Sequence, residues 1–278
     1  MTEFKRRKAG KKKVIPKLSI EDKYRMYEES VQNPEGDLEI INREYFKIFK
    51  KKPLLLREDF SGTSLLSHHW VKQGEEYKAF AVDLDPVPLD YGIRNHSSGL
   101  SHSEKQRLKI IQGNVLDPFL NKVDVVVAFN FSYFIFKKRE DLLNYFKAVK
   151  KSIGDNGVFI IDLFGGTEAF QEFEEKTKFK KHIYHWDCKN FNPITGECLY
   201  YIHFKVGNHK FEKVFTYDWR MWGIPELCEI MKDAGLGVVT TFWEGDDGIG
   251  GGNGEFYATK DAENCQSWVT YILARNTP

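Results

Sequence analysis

The chain has 278 residues, and 41 Lys and Arg against 40 Asp and Glu leave a formal net charge of +1. That length suits one large α/β domain or a domain carrying an insertion, and the balanced charge names no partner. Cys188, Cys198, Cys228 and Cys265 show no Cys-x-x-Cys spacing, so neither a zinc site nor a disulfide framework is indicated and no metal is expected. No apolar run is long enough to span a bilayer, which points to a soluble protein of the reducing cytoplasm.

Residues 5–13 form a basic run, Lys-Arg-Arg-Lys-Ala-Gly-Lys-Lys-Lys, with nothing apolar to bury. Residues 1–18 read as a disordered tail, with a nucleic-acid or anionic-surface arm as the alternative. Residues 19–52 are helical in pattern and rich in aromatics, and Asn33-Pro34-Glu35-Gly36 breaks them into two pieces. They form either a helical pair packed on the core or a lid from which Tyr24, Tyr27 or Gln32 reaches inward.

The most informative stretch starts at Pro53. Leu54-Leu55-Leu56 is apolar without alternation, as in a strand buried on both faces. Ser61-Gly62-Thr63-Ser64 supplies a turn and a helix N-cap, and a helix carrying Leu65, Leu66, Trp70 and Val71 runs to Gly74. A second buried strand, Ala79 to Val82, stops at Asp83-Leu84-Asp85-Pro86. A βαβ unit with a small-residue turn after its first strand and an acid after its second has the logic of a nucleoside site. Backbone N–H groups take the charged part and the carboxylate takes ribose hydroxyls.

Further strands follow. One leads into Asn114-Val115, Val123 to Asn130 is continuous and β-branched, and Gly157 to Asp162 is the fifth. A helix with Leu142, Leu143, Phe146 and Val149 at helical spacing lies before the fifth. From Phe179 to Thr216 the pattern turns aromatic, charged and alternating, with a turn at Asn192-Pro-Ile-Thr-Gly196, as in a small antiparallel sheet. A helix from Pro225 to Ala234 and closing strands near Val238 and Trp268 complete the chain, with residues 245–254 read as a mobile loop. The expected fold is α/β: a doubly wound, mostly parallel seven-stranded sheet with a small antiparallel β insert. The core spans 53–165 and 216–278, and the insert spans 166–215.

This order of parts resembles the class I S-adenosylmethionine (SAM)-dependent methyltransferases over roughly 53–165 and 225–273. Glu58-Asp-Phe-Ser-Gly62-Thr-Ser64 occupies the place of that family's acid-x-Gly-x-Gly-x-Gly loop, with Glu58 on the acid, Gly62 on the middle glycine, and Phe60 and Ser64 in place of the outer two. The resemblance implies SAM as cofactor, S-adenosylhomocysteine (SAH) as product and a Rossmann-like core. It places Asp83 on the ribose, with Leu84 beside it, and Asn114 and Val115 on adenine. Phe60, Ser61, Gly62 and Thr63 fall along the methionine moiety, and Tyr27, Arg57 and Asn130 stand next to the cofactor. Asn130 and Tyr133 have the spacing of the Asn-Pro-Pro-Tyr motif of amino-group methyltransferases, with Phe131-Ser132 in place of the prolines. There Asn accepts hydrogen bonds from the amine and the aromatic ring stacks on it; the alternative is that Asn130 caps a strand and Tyr133 is core. The insert is similar to those of small-molecule methyltransferases related to glycine N-methyltransferase.

The implied function is methyl transfer to a small-molecule acceptor, nitrogen favoured over oxygen. Arg57 is also placed to pair with Glu58. Trp219 and Trp222 read as core, with a cation–π cage as the alternative. A nucleic-acid or protein methyltransferase, or a binding module using the basic arm, is one rival class. The other is a nicotinamide-dependent oxidoreductase, which calls for a Gly-x-Gly-x-x-Gly that this chain lacks.

Overall fold

A computed structural model describes residues 17–119, 121–248 and 251–276. The basic run at 5–13 lies outside the described residues. The chain opens with two helices, α1 (Ile20–Val31) and α2 (Pro34–Phe49). Asn33 separates them by accepting from the Gly36 N–H at 3.2 Å, with Pro34 at the first helical position. The α/β part then follows: β1 (Leu55–Asp59), α3 (Leu65–Val71), β2 (Lys78–Asp83), α4 (Pro86–Asn95), a short α5 (His102–Arg107), β3 (Leu108–Gln112), β4 (Val123–Ala128), α6 (Arg139–Ser152) and β5 (Ile153–Gly165).

An antiparallel unit comes next: β6 (Phe173–Lys178), β7 (Ile183–Phe191), β8 (Glu197–Val206) and β9 (His209–Arg220). The chain returns through α7 (Ile224–Asp233), β10 (Leu236–Asp246), β11 (Gly252–Thr259) and β12 (Trp268–Asn276). The main sheet has the order β11-β10-β12-β5-β4-β1-β2-β3. Its strands from β5 to β3 pair in parallel, whereas β12 runs antiparallel to β5 and β10. The second sheet is β6-β7-β8-β9.

The expected architecture is present, with two differences. The main sheet has eight strands rather than seven, because the stretch read as loop after Gly245 contributes the hairpin of β10 and β11. The insert sheet has four strands and spans Phe173–Arg220, since the charged segment Phe173–Lys178 pairs with β7 and Tyr217 to Arg220 stays in β9. Both additions are edge strands with exposed polar faces, so no apolar alternation marks them.

Two apolar layers cover the main sheet. Ile41, Tyr45 and Trp70 of α2 and α3 bury one face, and Leu142, Phe146 and Leu227 of α6 and α7 bury the other. Tyr200 and Trp219 of the insert continue the second layer over the carboxyl ends of the strands. Met26 packs with Ile202 and Phe204 in a third, smaller core that seats α1 on the insert. The strand order reverses between β1 and β4, and in open α/β sheets the crevice beyond the carboxyl ends at that point is where ligands bind.

Candidate active site

The loop after β1 builds the first wall. Phe60, Gly62 and Ser64 have φ of 55°, 52° and 54°, so left-handed residues alternate along it. Phe60 and Ser64 therefore adopt the backbone that glycine takes most readily, at about 1–3 kcal/mol of strain each. Packing offsets that strain at Phe60, whose ring meets Tyr145 and Phe136 at 5.5 and 6.1 Å. At Ser64 the hydroxyl donates to the Thr63 carbonyl at 2.7 Å. Ser64 is not the side-chain cap of α3. That role falls to Glu58, whose Oε2 accepts from the Ser67 N–H (2.9 Å) and hydroxyl (2.5 Å).

Asp83, at the end of β2, accepts from the Gly62 N–H at 2.7 Å and from the Asp85 N–H at 2.8 Å. Its carboxylate thus ties the loop to the strand tip. One determinant has no motif to announce it: a Cβ at Gly92 in α4 would lie 2.1 Å from the Thr63 carbonyl oxygen, so only glycine lets α4 approach the loop. Leu84 is exposed beside Asp83, and Asn114 shapes the turn after β3 by accepting from the Leu116 N–H at 2.9 Å.

Arg57 does not face this crevice, and it does not pair with Glu58. Alternation along a strand sends residues 57 and 59 to the face opposite 58. Arg57 is 1% exposed and donates to Asp59 (2.6 Å), Ser152 (2.7 Å) and the carbonyl of Val115 (2.9 Å), while Tyr145 donates to Asp59 at 2.9 Å. The arginine braces β1 against α6 and the Asn114-Val115 turn from beneath.

The turn after β4 forms the opposite wall. Asn130 and Phe131 are consecutive left-handed residues, and their N–H groups donate to the two carboxylate oxygens of Asp162 at 2.8 and 3.0 Å. Tyr133 is fully buried and its hydroxyl donates to the Asp162 carbonyl at 2.9 Å. It is a brace inside the core and presents no ring to a substrate. The side chains of Asn130 and Phe131, by contrast, line a cavity of about 190 Å³ bounded by α1, the insert and the tips of β5 and β12. Tyr27, Trp186, Tyr217 and Trp219 supply its aromatic walls; Glu175 lies on its lining, which contains neither Lys nor Arg. Trp219 belongs to this cavity. Trp222 does not: it lies under the Arg220 guanidinium, 3.8 Å from the ring centre, and lines a larger cavity of about 390 Å³ next to α7, on the far side of Phe164.

The electrostatics of the crevice are one-sided. Burial raises Glu58 to about 8 and both Asp37 and Asp162 to about 7, and it raises Asp83 as well. Asp37 and Asp83 add to the rise at Glu58 through their charge, and Asp37 adds to that at Asp162. None of the four forms an ion pair among the described residues. The hydroxyls of Ser61 and Thr63 are buried in the loop without a hydrogen-bond partner. Buried donors without partners are uncommon and mark places where a ligand completes the set.

A second polar cluster, Glu174, Asp187 and His203, lies on the other face of the insert, with ligand-type atoms within 4.8 Å of one another. The Lys213 N–H donates to His203 Nδ1 at 2.7 Å, which leaves the ring proton on Nε2, facing Asp187 at 3.1 Å. Glu174 pairs with Lys176 and Lys210. This is an ion-pair network, with the His203 lone pair already engaged.

No family model matches the chain. Its fold is similar to that of a SAM-dependent methyltransferase from Clostridium acetobutylicum, with a TM-score of 0.69 and 17% identity over 92% of this chain and 98% of the other. An amino pentose methyltransferase from Micromonospora echinaspora, solved with SAM bound, gives 0.66 and 10% over 94% and 99%. A sugar N-methyltransferase from a Streptoalloteichus species gives 0.63 and 14% over 98% and 100%. At these identities the likeness is one of fold, that of the Rossmann-like class I methyltransferases. No helix of the described residues is long and apolar enough to cross a membrane.

Proposed function

We propose that this chain is a SAM-dependent methyltransferase acting on a small molecule, with nitrogen rather than oxygen as the acceptor atom. The observation that carries the reading is the crevice at the carboxyl ends of β1, β2 and β5. The buried Glu58 and the half-buried Asp83, neither in an ion pair among the described residues, flank a loop whose buried hydroxyls lack partners. An anionic or neutral ligand leaves those carboxyls uncompensated, whereas SAM brings a sulfonium and an ammonium.

The residues present fit that group. Asp83 and Leu84 would hold the ribose, and Asn114 and Val115 the adenine. The loop Phe60-Ser61-Gly62-Thr63 would carry the amino-acid end, with Glu58 setting the start of α3 beneath it. When bound, SAM supplies a methyl group already activated on sulfur, so the protein's own tasks are alignment and exclusion of water. The aromatic cavity beside Asn130 serves both. Its rings shed water, and their faces favour a nitrogen that becomes a methylated ammonium. Asn130 offers a side-chain oxygen to an amine N–H, and Tyr27 closes the cavity from α1 opposite Tyr217.

Calorimetric titration with SAH tests the reading. One site per chain at micromolar affinity or tighter is expected, together with thermal protection by SAM but not by NAD. A folded, ligand-free sample that ignores SAH would reduce the likeness to one of fold. A screen of amines with labelled SAM then seeks the acceptor, and labelling only of alcohols would overturn the choice of nitrogen.

A further inference from the structure

We infer that Asp162 is a positioning residue for the acceptor site, acting through the backbone of Asn130 and Phe131; the inference rests on the methyl-transfer reading above. Two consecutive non-glycine residues with φ of 57° and 58° are an unusual backbone. Left to itself, the chain leaving β4 has no reason to adopt it. The carboxylate of Asp162, one strand away on β5, supplies the reason: each of its oxygens takes one of the two successive N–H groups, at 2.8 and 3.0 Å. Two N–H groups converging on the two oxygens of one carboxyl hold both residues in the left-handed region.

The consequence lies in where the side chains go. Asn130 and Phe131 both line the acceptor cavity, and the Phe131 ring packs 4.7 Å from Phe164. Asp162 is held in turn, because the Tyr133 hydroxyl fixes its carbonyl at 2.9 Å from below. Asp162 itself is not among the residues lining the cavity and is 7% exposed. The clamp therefore shapes the cavity without touching what enters it.

The experiment compares Asp162→Asn with Asp162→Asn/Asn130→Gly. In Asp162→Asn an amide NH₂ must face one of the two backbone N–H groups, and the turn opens. SAH affinity should stay within about threefold of the unmodified chain, because the β1 loop is intact, while kcat for the acceptor found in the amine screen falls about tenfold or more with a smaller change in KM. Glycine at 130 accepts the left-handed backbone without help, so the double variant should regain part of the unfolding midpoint lost in Asp162→Asn, which a merely packing role for Asp162 would not produce, while kcat stays low because the Asn130 side chain is absent. In ¹⁵N-edited NMR spectra the Asn130 and Phe131 amide protons should move upfield in Asp162→Asn, with the Gly62 amide unmoved. That readout needs neither cofactor nor acceptor. If SAH fails to bind the unmodified chain, the methyltransferase reading falls and the NMR arm still decides the clamp. Unmoved amide signals, an unchanged kcat in Asp162→Asn, or no recovery of the midpoint in the double variant would each overturn it. Should Asp162→Asn fail to fold, Asn130→Gly alone is expected to raise the unfolding midpoint by relieving strain, and a lowered midpoint would overturn the proposal.

Discussion

Gly62 and Asp83 are joined by a 2.7 Å hydrogen bond from the loop amide to the carboxylate at the next strand's tip. The acid and the loop are therefore one unit, although 21 residues separate them. Asp83→Ala removes the clamp on the loop together with the acceptor proposed for ribose. It should weaken SAH binding by about 2–3 kcal/mol, the scale of hydrogen bonds to a charged group. Calorimetry checks this, and an unchanged affinity would release Asp83 from the cofactor site.

The raised carboxyls make both stability and binding depend on pH. Glu58 titrates near 8 in the fold, and Asp37 and Asp162 near 7, against ordinary values of 4.5 and 3.8. A folded-state pKa above the unfolded one means that folding favours the protonated carboxyl. The associated stability is full below about pH 4 and is lost as pH rises through 7 to 8. The unfolding midpoint of the ligand-free protein should therefore fall between pH 5 and 8. A cationic ligand beside the β1 loop favours the ionised forms of Glu58 and Asp83, so SAM should bind more tightly at pH 8 than at pH 6 and release protons on binding. Calorimetry in buffers of different ionisation enthalpy measures that release; zero release would show that the carboxyls are already ionised in the free protein.

Gly92→Ala is expected to damage the loop from a distance. Its Cβ would sit 2.1 Å from the Thr63 carbonyl oxygen, and backbone rather than a flexible side chain must give way. We expect a loss of about 1–3 kcal/mol in denaturant unfolding, as for other overpacked contacts, and weaker SAH binding by the molecules that remain folded. Equal SAH affinity would mean that α4 and the loop move independently.

Arg57→Met separates bracing from binding. It leaves Asp59 buried with Tyr145 as its remaining partner, which should destabilise the fold by about 3–5 kcal/mol. SAH affinity of the folded fraction should change little, because the guanidinium is turned to the α6 side of the sheet. A large, selective loss of affinity with normal stability would restore Arg57 to the cofactor.

What the sequence made legible follows from burial. Strands such as Val123–Ala128 are covered on both faces and carry an unbroken apolar run, so their place in a parallel sheet can be read directly. The edge strands β6 and β11 are exposed, and their Glu, Lys, Asn and Gly residues carry no such signal. Within the site, Asp83 and the loop were readable because a turn and an acid stand at consecutive strand ends. The pairing of Arg57 with Asp59 was within reach of strand parity, which puts i and i+2 on one face. For Tyr133 a core position was an open alternative to a substrate contact, and spacing from Asn130 alone gives no hint that a short helical turn at Ser132–Ile135 rotates the ring into the core. Gly92 was silent too, since its role depends on the depth of contact between two elements.

The three alternating left-handed residues at 60, 62 and 64 bear on how ancestry is recorded in a chain. One of them is a glycine, and the other two hold the same dihedral angles by other means, a ring wedged among rings and a hydroxyl folded onto its neighbour's carbonyl. A comparison that weighs letters penalises Phe and Ser there, whereas one that weighs torsions sees no change. What is inherited at such a loop is a path through space, and its spelling can drift for as long as some residue still supports each bend.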